Sequence, residues 1–451
     1  MSTWFAGRHA VVIGAGIGGL SAAAALAGHF SKVVVVERDK LPPGAAARPG
    51  VPQGKHPHGL LAGGMAALSK LFPGLASSLT QAGALVSDAG ADALIEVPGL
   101  QPFPRRHLDV HTFLMSRPLI EAVLRNRLAE HENVMLRDST RVMEIVARPS
   151  GDVAGVRVES PEGEQEVLAA DLVVDASGRG VPTLDFLKAA GRPVPQESVV
   201  GVDLTYGTAT YSFPPDATPD FKVALTLAKA PERSRCGFMM MREGGFWYVL
   251  FAGRGEDRPP VDEEAFLAFA QGLDTPTIYD TLRKGRRHGE ILRFGFQESR
   301  WRHFERLESL PAGLLPIGDA ICRLNPVYGQ GMAVAALEAL QLRDLLDAQG
   351  SDSGSLATLA PRFLGGAVPL IETAWKMAEL ADLVYPETRG EKPADFQKTL
   401  EMQVVLNRLA IQDADVQKLM VEVRHLLKPA TALHDPEIQR KAEALREHAP
   451  S

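Results

Sequence analysis

Residues 9–37 constrain this chain more tightly than any other stretch. An apolar run, His9-Ala-Val-Val-Ile, ends at Gly14, and Gly16 and Gly19 complete a Gly-x-Gly-x-x-Gly spacing. An alanine-rich segment follows, then Lys32-Val-Val-Val-Val ending at Glu37. A lone glycine triplet would mean little; here the strand, the helix and the acid stand in order around it, which reads as a parallel β-α-β unit shaped for a dinucleotide. Gly14 permits the tight turn. Gly16, with Gly18 close by, lets backbone approach a pyrophosphate, and Gly19 lets helix and strand pack closely. The helix N-terminus then points free N–H groups at the phosphates. Glu37 sits where a carboxylate accepts hydrogen bonds from ribose hydroxyls, with Arg38 beside it.

The chain has 451 residues, long enough for two or more substructures. Lys and Arg number 48 against 55 Asp and Glu, a net charge of −7 that argues against a nucleic-acid partner. Two cysteines, Cys236 and Cys322, give no disulfide framework, so a reducing compartment, the cytoplasm, is expected. The first residues lead straight toward a strand, and no signal peptide is expected. Residues 10–27 are apolar but broken by glycines and serve the nucleotide unit, so no stable membrane anchoring is expected.

Two later segments bear on which dinucleotide is bound. In Ala170-Asp-Leu-Val-Val-Asp175-Ala-Ser177-Gly178-Arg179 an apolar strand ends in a polar, glycine-containing turn. In Gly313-Leu-Leu-Pro-Ile-Gly318-Asp319-Ala320 another strand ends at Gly-Asp, and Asn325-Pro326-Val-Tyr-Gly329-Gln330-Gly331-Met332 opens an alanine-rich helix. Asp319 suits a ribityl hydroxyl. The helix start at Gly331 and Met332 suits negative charge on a flavin ring.

In order and spacing these three segments resemble the class A FAD-dependent monooxygenases, over residues 5–350 in outline. That fold is shared with p-hydroxybenzoate hydroxylase, squalene epoxidase and the flavin halogenases. The resemblance implies an α/β chain, α+β overall: a Rossmann-like, glutathione-reductase-type FAD-binding domain, an inserted mixed β-sheet substrate domain and a C-terminal helical region. It implies FAD contacts from Gly14, Gly16, Gly19, Glu37, Asp319 and the loop 326–332. Asp175, Gly178 and Gly318 belong to the same cofactor set. An arginine at the start of a helix also meets the cofactor in this family. Arg117 in Met115-Ser116-Arg117-Pro118 matches it, with a solvated helix-end charge as the other reading.

The Pro/Gly-rich stretch 48–61 looks like the cofactor loop of a bacterial natural-product subgroup, which brings in Gln53 and His58. His56 and His58 leave three readings: loop contact with the flavin, structural hydrogen bonding, or a metal, for which no further ligands follow at the right spacing. Two departures stand out. Ser177-Gly178 replaces the family's Asp-Gly, and Gly318-Asp319-Ala-Ile-Cys322 replaces Gly-Asp-Ala-Ala-His. The first weakens the case for direct reduction by NADPH or NADH, so a partner flavin reductase stays open as the electron source.

Between these segments lies β-rich material. Residues 200–213 and 222–228 read as strands, and 236–251 as a hairpin turning at Glu243-Gly244-Gly245. That register puts Met239, Met241, Trp247, Val249 and Phe251 on one face. They are either a dry substrate wall or packing against covering helices; periodicity does not choose. Further on, 369–383 reads as a helix with Pro369 in its first turn, 386–393 as a break, and 396–427 as one or two amphipathic helices. These form a helical cap, a dimer face or a membrane-surface element.

The expected division is 1–75, 105–185 and 297–350 for FAD, 76–104 and 186–296 for substrate, and 351–451 for the helical region. The implied activity is transfer of one oxygen atom from a flavin hydroperoxide, formed with O2, to a hydrophobic small molecule. Epoxidation of an alkene and hydroxylation of an aromatic ring are both open. The environment of the ring is Pro326, Gly329, Gln330, Gly331 and Met332; no catalytic acid or base stands out. Rivals are a flavin-dependent reductase of isoprenoid-type double bonds, a halogenase, and a flavin-free binding protein. Halogenases carry a Trp-x-Trp-x-Ile-Pro segment and a catalytic lysine, and Gly245-Phe-Trp247-Tyr-Val-Leu lacks that pattern.

Overall fold

Valine-rich strands dictate the first layer. In the computed structural model, which describes residues 6–349 and 356–447, a parallel sheet runs in the order Leu314–Pro316, Leu172–Asp175, Gly7–Ile13, Phe30–Val36, Val134–Arg137. Its central strands are buried on both faces, the pattern of a covered parallel sheet. Ile13 pairs with both Val36 and Asp175, and Asp175 with Pro316. Four strand ends therefore finish level, and the glycine turn, Glu37, Ser177-Gly178 and Gly318-Asp319 emerge along one edge. Ligands of open α/β sheets bind outside that carboxyl edge.

The helix Ile17–Ala27 is buried almost all round. Small side chains let it lie between the sheet and the helix Gly331–Gln349, where a Cβ on Gly18 would sit 3.5 Å from the Ala335 Cβ. The helix Ala62–Leu71 approaches the same partner as closely: a Cβ on Gly64 would come within 2.6 Å of the Ala333 Cα.

A second, seven-stranded sheet runs Cys322–Arg323, Arg286–Arg302, Glu197–Ser212, Trp247–Gly253, Cys236–Met241, Val223–Thr226, Ala93–Glu96. It is antiparallel except where Val223–Thr226 meets Ala93–Glu96. The strand Arg286–Arg302 passes through the expected boundary at residue 296. The hairpin turns at Glu243–Gly245, with Gly244 and Gly245 at positive φ. In its turn Glu243 Oε2 accepts the Ser116 N–H at 2.8 Å, which ties the second sheet to the start of the helix Arg117–Leu128.

The helices Glu263–Gln271 and Thr277–Leu282 cover one face of this sheet, with Phe266, Phe269 and Ile278 facing it. The opposite face looks toward the C-terminal helices Leu359–Leu383, Phe396–Gln412 and Ala414–Arg424. The break falls where the sequence put it, and the expected one or two amphipathic helices are two, with Asp413 capping the second by accepting the Asp415 and Val416 N–H groups. The helix expected over 369–383 instead begins at Leu359 and holds Pro369 in its interior. Burial of Leu359, Phe363, Leu364 and Ala367 sustains the extra turns despite the missing proline N–H. The expected start of the helical region at 351 and its end at 448–451 lie outside the described residues. Among the described residues no helix is long and apolar enough to cross a membrane.

Candidate functional site

One cavity of about 2100 Å³ runs from the glycine turn to the free face of the second sheet. At its polar end Gly14 holds φ +101°, and an added Cβ would lie 2.7 Å from the Ala176 carbonyl oxygen. Gly19 does not face the cavity; a Cβ there would meet the Gly14 oxygen at 1.9 Å, so strand and helix touch only because it is glycine. Gly14, Gly16, Gly18, Glu37, Arg38, Gln53, His58, Arg117, Gly178, Gly318 and Asp319 all line the cavity.

Beneath that surface lies a buried ionic chain. Glu37 accepts the Ala15 N–H at 2.9 Å and the Asp39 N–H at 3.0 Å, and pairs with Arg48 at 2.9 Å. Arg48 also reaches Asp39 and Glu121, and Glu121 pairs with Arg117 Nε at 2.8 Å. Burial works against the Arg48 charge, but Glu121 and Glu37 outweigh it and raise its pKa. Arg117 is thereby held on one side, while its outer nitrogen lies 3.8 Å from where a Gly16 Cβ would be. It is no solvated helix-end charge: Ser116 caps its helix by accepting the Leu119 N–H, and Pro118 follows in the first turn.

Asp175 is a correction. It is wholly buried, and its carboxylate accepts the Ser177 N–H, the Thr183 N–H and the Thr183 hydroxyl, all within 3.0 Å. It does not line the cavity; it shapes the turn that presents Ser177 and Gly178. An acid at a strand end with a threonine eight residues on has a local use for its charge, and that use prevails.

His58 lines the cavity with Nδ1 against the His56 carbonyl at 2.9 Å. Burial, helped by Arg117, pushes its pKa down to about 3, so the ring is neutral and Nε2 is free to accept. His56 turns away: Nδ1 meets the Thr208 hydroxyl at 2.7 Å, the ring packs on Tyr206 and Phe294, and burial lowers its pKa to about 4. Its part is structural. Among the described residues no cluster of three or more His, Cys, Asp or Glu could hold a metal.

Asp319 opens onto the cavity but is enclosed by protein, and this burial raises its carboxyl pKa while Arg117 and Arg323 oppose the rise. Below it Glu338, wholly buried, accepts the Gly318 N–H at 2.6 Å. Burial and the neighbouring Asp319 push Glu338 up to about 8, so it is protonated at neutral pH. The loop 326–332 closes this end. Asn325 accepts the Val327 N–H, Gly329 is left-handed, and the first helical bond runs from the Val334 N–H to the Gln330 carbonyl. The N–H groups of Gly331, Met332 and Ala333 thus have no partner within the helix. The Gln330 Oε1, buried at the cavity wall, has none either.

The far end is apolar, and here the substrate-wall reading of the hairpin face gives way to the packing one. Met239, Met241, Trp247, Val249 and Phe251 do share one face, but it packs on Phe266, Phe269 and Ile278 under the covering helices. The alternate residues Phe238, Met240 and Leu250 line the cavity. Both faces are apolar because both are covered, one by helices and one by a cavity roofed with Leu400, Leu406 and Met420. Strand alternation gives the pairing and leaves the direction to tertiary packing.

A buried network joins the two ends. Asp382, wholly buried on the helix Leu359–Leu383, pairs with Arg254 and accepts from Asn325 Nδ2 at 3.1 Å and the Tyr328 hydroxyl at 2.8 Å. Arg254 also stacks on Tyr385, 4.2 Å from the ring centroid. Sequence reasoning missed Arg48, Glu121, Glu338, Arg254 and Asp382. Only Glu121 left a local trace, four residues after Arg117 on one helix.

Over 398 residues the chain is 32% identical to Protein Rv3254 of Mycobacterium tuberculosis (strain ATCC 25618 / H37Rv), covering 85% of this chain and 82% of that one. The family described as FAD dependent oxidoreductase matches residues 10–195. Among solved structures, the flavin-dependent brominase Bmp2 aligns with a TM-score of 0.69 at 13% identity, over 98% of this chain and 99% of its own. The p-nitrophenol 4-monooxygenase PnpA from Pseudomonas putida DLL-E4 aligns with 0.66 at 15% identity, over 94% and 99%. At such identities the likeness is one of fold, and it extends well beyond the nucleotide unit. With a relative alike over most of both chains, and the nucleotide segment itself matched, this chain belongs to the FAD-dependent oxidoreductase family.

Proposed function

We propose that the protein is an FAD-dependent monooxygenase that transfers one oxygen atom from O2 to a hydrophobic small molecule, by epoxidation of an alkene or hydroxylation of an aromatic ring. The observation that carries the reading is the continuity of the cavity: its polar, glycine-lined end opens directly into an apolar chamber at the loop 326–332. The residues suit FAD. The free N–H groups of Gly331–Ala333 and the orphaned Gln330 Oε1 both await polar partners. In this reading Glu37 and Arg38 hold the ribose end, Gly14, Gly16 and Gly18 the phosphates, Asp319 the ribityl chain, and the loop the flavin ring.

Bound FAD supplies the two-electron chemistry that activates oxygen. The chain's task is to bind, orient and keep dry. The N–H groups at the start of the helix Gly331–Gln349 face charge that develops on the ring, with the helix dipole behind them. Phe238, Met240 and Leu250 exclude water from the chamber. Neutral His58 accepts without adding charge. NADPH or NADH supplies the electrons, directly or through a flavin reductase. Halogenation, the activity in the name of Bmp2, fits less well: Lys376 is the one lysine among the described residues lining the cavity, and it pairs with Glu372.

The test is isotopic. FAD-loaded protein, reduced chemically, is given 18O2 and a panel of apolar alkenes and phenols. One labelled oxygen in the product is the expected result. Saturation of a double bond without label would show a reductase instead, and purified protein that takes up no flavin would remove the reading altogether.

A further inference from the structure

Most cationic side chains around the cavity are answered from within the protein. Arg117 and Arg48 meet Glu121, Arg254 meets Asp382, and Arg323 lies over the Phe296 ring. Arg38, Arg141 and Arg179 also line the cavity without an ion-pair partner among the described residues, but they lie beside the nucleotide unit. Arg424 differs in place: it ends the helix Ala414–Arg424 and is exposed onto the cavity among the C-terminal helices. Among the described residues it has no ion-pair partner and donates no side-chain hydrogen bond. It is exposed onto the cavity, and the protein around that cavity lowers its pKa by burial; Tyr328 of the loop 326–332 lies nearby, but its hydroxyl is given to Asp382. Its own charge in turn helps burial hold the adjacent His425 neutral. The carboxylates that also line the cavity do not reach it: Glu379 bonds to the Trp375 indole N–H and interacts with Lys376 and Asp395.

A guanidinium carries five donors and keeps its charge at any ordinary pH. Enclosed without a counter-charge, it costs stability that an incoming anion restores. The sheet face that lines this end is apolar at Phe238, Met240 and Leu250, so the part of that anion lying on it is apolar too.

We infer that Arg424 is the anion-binding post of the substrate chamber, and that the substrate is an apolar organic acid whose carboxylate is held by this guanidinium. The carbon skeleton lies against Phe238, Met240 and Met420. Tyr328 of the loop 326–332 lies near the post and lines the same cavity, so the held acid presents its skeleton at the loop. The inference rests on the reading of this end as the substrate site. It predicts selection for one negative charge where the sheet and helices by themselves would select only for shape and apolarity.

Calorimetric titration of the FAD-loaded protein with matched pairs, benzoate against benzamide and 2-naphthoate against 2-naphthamide, tests this without turnover. At least one carboxylate binds about 10-fold or more tightly than its amide. Arg424→Met abolishes that preference while amide affinity and flavin content stay as in the wild type and the melting temperature does not fall. Arg424→Lys keeps part of it, as a point charge without the planar fork. The proposal is overturned if no carboxylate outbinds its amide, if the preference survives in Arg424→Met, or if Arg424→Met sheds FAD, which would give the arginine to the cofactor. The titrations can be repeated on flavin-free protein, so a failed oxygen-transfer assay and a failed carboxylate preference are separate results.

Discussion

The two ends of the cavity are built on different principles. The polar end is made of backbone: positive-φ glycine at Gly14, close packing at Gly19, and unpaired N–H groups at Gly331–Ala333. Side chains there serve mainly to hold one another, through Glu37, Arg48, Glu121 and Arg117. The apolar end is made of side chains from elements far apart in sequence, Phe238 and Met240 on a strand and Leu400, Leu406 and Met420 on helices near the C-terminus. A site formed from backbone tolerates almost no substitution at its glycines. A site formed from large side chains can be reshaped one residue at a time with modest loss. The cofactor end is thus rigid in its sequence requirements, and the chamber is where specificity can vary.

The sharpest way to break that contrast is Gly19→Ala. The new methyl would overlap the Gly14 oxygen, so strand and helix must part. Purified variant is expected to retain no FAD, read by visible absorbance after desalting, whereas Phe238→Ala at the other end retains it. Flavin-replete Gly19→Ala would show that backbone contact is not what shapes the polar end.

The network between the ends comes next. Asp382→Ala leaves Arg254 buried without its counter-charge, and a loss of about 3–5 kcal/mol is expected. Urea unfolding measures it; a midpoint equal to wild type would mean that the C-terminal helices sit on the chamber without being keyed to the loop through Asp382.

The two faces of the hairpin give a paired test. Trp247→Ala opens a void under the covering helices and is expected to cost about 3–5 kcal/mol of stability with little change in ligand affinity. Phe238→Ala, on the cavity face, is expected to cost less stability and to weaken binding of an apolar ligand. Thermal melting and calorimetric titration on both variants decide it, and reversed effects would restore Met239, Trp247 and Phe251 as the substrate wall.

The smallest effect concerns Glu338. Its carboxyl is raised from an ordinary 4.5 to about 8, so the folded state favours the protonated form. Its contribution to stability is fully present below about pH 4.5 and is lost as pH rises through about 8. Glu338→Gln stays neutral and still offers an oxygen to the Gly318 N–H. Its melting temperature should match wild type near pH 5 and exceed it by a few degrees near pH 9. Parallel curves across that range would mean that Glu338 is ionised in the fold.

By itself the sequence determined what depends on near neighbours. Valine runs with a glycine turn between them specify a parallel β-α-β unit wherever they occur, because φ, side-chain size and strand period are local properties. The hairpin register and the two amphipathic helices followed for the same reason. Tertiary structure decided everything that required knowing which surface meets which. It turned Met240 rather than Met239 toward the cavity, spent Asp175 on Thr183 instead of the cavity, and extended a helix through Pro369 to bury Leu359 and Phe363. It also brought Arg254, Tyr328 and Asp382 together from three separate elements. Burial is a property of the assembled layers, and a chain whose strands are apolar on both faces carries no local mark of which face will be covered by protein and which by ligand.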